Sequence, residues 1–221
     1  MRVAIVVFPG SNCEHDAAVA MREFGVDSEF VFHTATDLDG ADAVILPGGF
    51  AHGDYLRPGA LARFSPVMEP VARFAAEGGP VLGICNGFQV LTEAGLLPGA
   101  LQKNRGLTFL SEPTTVVVAA TRSVLTRAAA PGQELGIPIN HFSGAYTCDD
   151  DTYRELVAND QIVLRYRDNP NGSRDDVAGI ANVAGNVVGL MPHPERALST
   201  LLGSADGRVL LEGFVEALVR A

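Results

Sequence analysis

The chain has 221 residues, 47% of them hydrophobic, enough for a single domain over residues 1–221 with one core. A formal net charge of −10, with 16 basic residues and one lysine, Lys103, argues against nucleic acid or an anionic membrane surface as a partner, since both need clustered cations. No apolar run approaches the roughly 20 residues of a membrane span, and the first residues read as a strand instead of a signal peptide, so a cytoplasmic, unprocessed chain is expected. Three cysteines, Cys13, Cys85 and Cys148, fit neither a disulfide framework nor a zinc pattern, and His15 between Glu14 and Asp16 reads as a solvated helix start, so no metal is expected.

Residues 3–8 are an apolar run suited to a central parallel strand. Ser11 or Asn12 is expected to cap the next helix, in which Ala17, Met21 and Phe24 recur at helical spacing before Gly25. Residues 28–32 and 43–46 read as strands, the second ending in Pro47-Gly48-Gly49-Phe50. Ligand sites in open α/β sheets collect at such strand ends. Ser65-Pro66 predicts a helix start, with Pro70 kinking the first turn of a helix that reaches about Glu77. Residues 80–84 then form a buried strand, and a helix runs from Asn86 until Gly95 closes it. After Gly99 short β runs take over, at 114–120, 138–141, 162–166, 177–182 and 187–191, the last two joined by a hairpin-like turn. A polar loop, 168–176, and a closing helix, about 206–219, complete the chain. The expected fold is α/β: a doubly wound, mostly parallel central sheet with antiparallel additions in the C-terminal half.

Two stretches carry chemistry. Cys85 lies at the strand-to-helix turn between Gly83 and Gly87, the thiol counterpart of a Gly-x-Ser-x-Gly nucleophile elbow. At the foot of a helix the dipole favours a thiolate, and the Asn86 N–H is placed to receive an oxyanion. An inert buried thiol is nonetheless the commoner fate of a free cysteine. Far downstream, Met191-Pro192-His193-Pro194-Glu195 presents an imidazole and a carboxylate two residues apart. In extended chain both point to one side, and the flanking prolines restrict the backbone. Nucleophile, base and orienting carboxylate together make an acyl-transfer triad of Cys85, His193 and Glu195. The Gly48-Gly49 pair could bring bare N–H groups to the same oxyanion, or be an ordinary turn. There is no Gly-x-x-x-x-Gly-Lys phosphate loop.

Gly83-Ile84-Cys85-Asn86-Gly87-Phe88-Gln89, Pro47-Gly48-Gly49-Phe50 and His193-Pro194-Glu195 resemble the class I, triad glutamine amidotransferases. Phe8-Pro9-Gly10-Ser11-Asn12-Cys13, Gly53-Asp54-Tyr55-Leu56-Arg57, Asn169-Pro170-Asn171-Gly172-Ser173 and Met191 to Arg196 are further similar to the glutaminase-subunit family of phosphoribosylformylglycinamidine synthases. The resemblance implies that Cys85 attacks the side-chain amide of L-glutamine, His193 moves the proton and Glu195 orients His193. It implies an oxyanion hole of the Gly49 and Asn86 N–H groups, and glutamine contacts from Gly48, Phe50, Gln89, His141, Phe142 and Ser143. It further implies no cofactor in this chain, and two partners: a large synthetase subunit that uses ATP and Mg, and a small accessory subunit. The surface for them is placed at 54–57 and 169–173.

The sequence departs from that family at His141-Phe142-Ser143-Gly144-Ala145-Tyr146, where His-Gly-Glu-Gly-x-Tyr is usual, and at Ala51-His52, where Ser-Tyr is usual. A Phe142 that narrows the pocket, or a Ser143 that loses a contact to the ammonium of glutamine, lowers affinity; otherwise the change acts on coupling to the partner. Two rivals stay open at this level: another cysteine hydrolase or amidotransferase subunit with a different acceptor, and a non-catalytic assembly subunit. Cys13 and Cys148 are expected to be structural.

Overall fold

The computed structural model describes residues 1–219. Its first half is built from β1 (Arg2–Val7), α1 (Glu14–Glu23), β2 (Asp27–Phe32), β3 (Ala43–Leu46), α2 (Met68–Ala76), β4 (Val81–Ile84) and α3 (Asn86–Glu93). The second half comprises β5 (Ala100–Gln102), β6 (Leu110–Val118), β7 (Glu134–His141), β8 (Ala145–Thr147), α4 (Asp150–Ala158), β9 (Ile162–Tyr166), β10 (Val177–Ala181), β11 (Val187–Leu190) and α5 (Gly207–Val219).

Nine strands form one sheet in the order β2-β1-β3-β4-β11-β10-β9-β6-β7, and β5 pairs with β8 in a small second sheet. Pairing is parallel from β2 through β11 and antiparallel from β11 to β7. This is the expected mixed α/β sheet. Strands β3, β4 and β11 are buried along their whole length, which explains why they carry no polar side chain. They are also neighbours running the same way, with Leu46 beside Gly83 and Leu190 beside Ile84. Their carboxyl ends therefore release three chain segments at one point: Pro47 onward, Cys85, and Met191 onward.

Several local expectations are corrected. Neither Ser11 nor Asn12 caps α1; Cys13 holds that position without a side-chain cap, while the Asn12 and Cys13 N–H groups donate to Gly48 O at 3.5 and 3.3 Å. Ser65-Pro66 forms a turn before α2, whose first residue is Met68. Pro70 then falls in the first turn, where its missing N–H has no intrahelical acceptor to lose, and the helix is continuous through it. Strand β6 begins at Leu110 rather than 114, and runs through Pro113, which faces Pro138 of β7. Two residues that cannot donate are thereby set opposite each other. Helix α4 is not in the sequence reading at all, although Asp149 caps it by accepting from Thr152 N–H at 2.8 Å and Asp150 and Asp151 fill its first turn.

One hydrophobic cluster extends from Val3 to Leu218.

Candidate active site

The Cys85 backbone sits at φ 51°, ψ −103°, a conformation an L-residue adopts only under constraint. The constraint is steric and local. A Cβ on Gly87 would stand 1.9 Å from Leu46 O, and one on Gly83 would stand 2.8 Å from the Gly87 carbonyl. Strand β3, strand β4 and helix α3 thus close to backbone contact, and Cys85 is forced upward at the junction, its N–H donating to Leu190 O at 2.8 Å. The thiol is 5% exposed, with Sγ 3.6 Å from Asn140 O.

After β11, His193 is fixed by its own N–H, which donates to Pro138 O at 2.9 Å. Its Nδ1 lies 2.6 Å from Glu195 Oε1, and both side chains are 1% exposed. The predicted pairing of these two residues is present, but the backbone is a 3-10 turn at Pro194–Arg196 and not an extended segment. With Nδ1 committed to the carboxylate, Nε2 is buried with no hydrogen-bond partner among the described residues. Burial alone lowers the basicity of this imidazole; the Glu195 carboxylate and the Cys85 sulfur more than reverse that, and its pKa rises to about 10. The buried Glu195 carboxylate thus favours the protonated form of this imidazole.

Gly49 has φ +140°, and its loop is laced to Gly10–Cys13 by the Asn12 N–H to Gly48 O and Phe50 N–H to Gly10 O bonds. Among the described residues the Gly49 and Asn86 N–H groups donate to no protein acceptor, as an oxyanion hole requires. The Asn86 side chain joins this loop to α3: Oδ1 accepts from Ala51 N–H at 3.0 Å, and Nδ2 donates to Gln89 Oε1 at 2.8 Å and Asp54 Oδ1 at 3.3 Å. Burial pushes the Asp54 carboxyl up to about 6, against the Asn86 donor. Gln89 in turn donates to Ser143 O, so both ends of its amide brace the site. Gly48 is buried against His193 Cε1 and Cys13 Sγ, whereas Phe50 is 43% exposed.

The His141–Gly144 segment hangs on Asn104. Asn104 Oδ1 meets His141 Nδ1 at 3.0 Å and accepts from Gly144 N–H at 3.1 Å, while its Nδ2 donates to the His141 and Thr108 carbonyls at 2.9 Å. Burial, with His193 nearby, lowers His141 to about 4, so it is neutral. Phe142 does not plug the elbow. It stands 37% exposed, 5.9 Å from Lys103 Nζ, on the wall of a cavity of about 700 Å³ shared with Asp54, Arg57, Lys103, Asn104 and Ser143.

The loop 168–176 is no solvated excursion. Asn171 and Ser173 are buried; Asn171 Nδ2 donates to Gly144 O at 2.9 Å, and Ser173 Oγ donates to Asn171 Oδ1 at 2.8 Å and accepts from Tyr146 N–H at 3.0 Å, bracing the same stretch from the far side. Asn104 was not among the sequence candidates, and Asn171 and Ser173 were expected only as part of the partner surface at 169–173. Cys13 is a second addition: Cys13, His193 and Glu195 place their donor atoms within 4.8 Å of one another. As a metal set this suits poorly, because Glu195 already holds Nδ1 and burial pushes the Cys13 thiol up to about 12.

A model of the CobB/CobQ-like glutamine amidotransferase domain family matches residues 1–208. The chain belongs to this amidotransferase family. It is 56% identical over 215 residues to phosphoribosylformylglycinamidine synthase subunit PurQ of Rubrobacter xylanophilus, covering 97% of this chain and 98% of that one. Its identity to the subunit PurQ of Parasynechococcus marenigrum is 52% over 216 residues, covering 97% and 100%. Among solved structures, PurLQS from Thermotoga maritima superposes with a TM-score of 0.91 at 40% identity, over 98% of each chain. A glutamine amidotransferase from the same organism, 17% identical with a TM-score of 0.60 over 100% and 96%, shares the fold. The amidotransferase's mixed sheet is thus the architecture of its class. Among the described residues no helix is long and apolar enough to cross a membrane.

Proposed function

We propose that this chain is the glutaminase subunit of a phosphoribosylformylglycinamidine synthase, acting through a Cys85–His193–Glu195 triad. The observation that carries the reading is the meeting of a strained Cys85 at the end of β4 with a buried His193–Glu195 pair, bonded at 2.6 Å, after β11. The Cys85 thiolate attacks the side-chain amide carbon of L-glutamine, and the oxyanion forms against the Gly49 and Asn86 N–H groups. His193 gives its Nε2 proton to the departing nitrogen, so ammonia leaves and a γ-glutamyl thioester remains. Water then attacks the thioester with His193 taking its proton, and glutamate is released with the thiolate restored. Glu195 keeps the imidazole turned and compensates its charge throughout.

The ammonia serves a separate large synthetase subunit, which converts formylglycinamide ribonucleotide to its amidine with ATP and Mg, and a small accessory subunit completes the assembly. The relatives' name as synthase subunits and the PurLQS assembly support this division, as does the lack of a phosphate loop here. Exposed Tyr55 and Leu56, beside an Arg57 locked bidentately to Glu93, favour residues 54–57 as the partner face; the buried Asn171 and Ser173 give the second loop a bracing role instead. One continuous core favours a single domain over residues 1–221, of which the last two lie outside the described residues. The charge of −10 and the absence of a membrane-length helix among the described residues favour a cytoplasmic enzyme without nucleic-acid or membrane partners.

An electrophilic glutamine analogue, a diazoketone, tests the site directly. One equivalent is expected on Cys85, slowed by L-glutamine, with loss of glutamate release; modification at Cys13 or Cys148 in place of Cys85 would overturn the triad.

The segment His141–Gly144 is proposed to hold the amino-acid end of glutamine, with Asn104 fixing its shape. Asn104→Ala strands several buried polar groups, each costing about 1–3 kcal/mol. Steady-state glutaminase kinetics should show KM for glutamine raised about tenfold or more and kcat changed far less. An unchanged KM would detach this segment from substrate binding.

A further inference from the structure

Cys13 lies beside His193 and Glu195 without belonging to the triad. It is 2% exposed at the start of α1, its N–H donates to Gly48 O at 3.3 Å, and its Sγ receives the Arg196 guanidinium at 3.1 Å. The same guanidinium donates from Nε to Asp16 Oδ2 at 3.0 Å, so Arg196 is held from both sides on α1 and its cap. Gly48 fills the gap between the two functional side chains: a Cβ there would lie 3.0 Å from Cys13 Sγ and 2.8 Å from His193 Cε1. Independently, Glu195 carries an unsatisfied oxygen. Oε1 serves His193, while Oε2 is buried with no partner among the described residues, and the carboxylate lies within 4.8 Å of the Cys13 sulfur.

We infer that Cys13 is a positioning residue for the triad: its sulfur anchors the Arg196 guanidinium and packs against the Glu195 carboxylate, holding that carboxylate toward His193. This deepens the reading of Cys85, His193 and Glu195 as the triad and rests on it. The sulfur acts in its protonated form. Burial pushes the thiol up to about 12, with Arg196 opposing and Glu195 reinforcing the rise, and an ionised sulfur would set a second anion against Glu195. The S–H has an acceptor in Asn12 Oδ1 at 3.1 Å, leaving the sulfur lone pairs to Arg196. Cys13 thus joins three segments, the α1 cap, the Gly48 loop and the turn after β11, at the back of the imidazole.

Two substitutions separate polarity from packing. Cys13→Ser keeps a donor and an acceptor; Cys13→Val fills the space and keeps neither. With the full chain in the assembly of synthetase and accessory subunits, Cys13→Val should lower kcat for glutamine about tenfold or more with KM within about twofold, and Cys13→Ser should stay within about threefold of wild type. A second readout follows the imidazolium: iodoacetamide labelling of Cys85, resolved by peptide mass spectrometry. In Cys13→Val it should slow about fivefold or more at about pH 7, below the pH at which His193 loses its proton and where labelling depends on a well-held imidazolium. A Cys13→Val chain as fast as wild type, or a Cys13→Ser chain impaired as deeply, overturns the inference. Should Cys13→Val fail to fold, Arg196→Met cuts the same link from its outer end and must give the same kcat loss and labelling pattern; wild-type behaviour there overturns it equally. Wild-type chain labelled by the diazoketone at Cys85 in the same experiment keeps the triad reading standing whatever Cys13 does, and its failure to label would fell that reading instead.

Discussion

Cys85→Ala should lower glutamine-dependent turnover by about four orders of magnitude or more while leaving ammonia-dependent amidine formation by the same assembly at its normal rate. The substitution removes only the sulfur. Alanine carries the same Cβ at φ 51°, so the elbow gains no new strain, and the close contacts set by Gly83 and Gly87 are untouched. The His193–Glu195 pair keeps its 2.6 Å bond, but no group is left to form the thioester. Measuring glutamate release and amidine formation side by side, with glutamine and then with ammonium salt, separates the two half-reactions. Glutamate released by the alanine chain at a tenth of the normal rate would mean that the thiol is not the nucleophile. Loss of the ammonia-dependent reaction would mean that Cys85 matters to assembly instead.

The second large effect is on stability. Gly87→Ala places a methyl group 1.9 Å from Leu46 O, 2.6 Å from Leu46 C and 2.9 Å from its Cβ, and two of these are backbone atoms of a strand buried on all sides. Helix α3 can accept the methyl only by lifting off β3, which opens the floor of the elbow. Overpacking commonly costs about 1–3 kcal/mol, and this contact belongs at or above the upper end. For a chain of this length that corresponds to a melting temperature lowered by about 6–12 °C. Gly95→Ala is the control. Unlike Gly87, it sits at positive φ, +72°, just past the end of α3, and its Cβ would meet nothing within 4 Å. The control should lose about 1–2 kcal/mol from backbone strain alone. Equal melting temperatures for the two variants would show that the approach of α3 to β3 is looser than described.

The parts of this molecule legible in sequence are those whose cause is local. The Gly-x-Cys-x-Gly elbow declares itself because the glycines that permit the turn are two residues from the cysteine, and the base and its carboxylate are two residues from each other. Apolar runs gave the nine strands of the main sheet to within about four residues, with 162–166 and 43–46 matching at both ends, while the short β5 and β8 went unread. What sequence inspection missed is held together at long range. Asn104 contacts His141 across 37 residues, Asn171 reaches back 27 to Gly144, and Arg196 finds Cys13 across 183. No spacing rule announces such pairs. Helix α4 is a different failure: Asp149, Asp150 and Asp151 marked its start, yet the β runs on either side drew the whole region toward strands. Ser65-Pro66 shows the converse, a strong start signal spent on a turn because Ser65 O was taken by Met68 N–H.

The position of β11 governs when the protein can first work during its own synthesis. It is the last strand to be made, yet it enters between β4 and β10 rather than at a border, with Val187 set against Val81. Until it emerges from the ribosome, β2-β1-β3-β4 and β10-β9-β6-β7 are two separate half-sheets, each with an open edge where the other should be. Cys85 waits on one of them, and His193 has not yet been translated. With the proposed triad, an incomplete chain therefore carries its thiol without a base to act on glutamine, and assembly of the site coincides with closure of the sheet, a late and slow event for so distant a strand pairing.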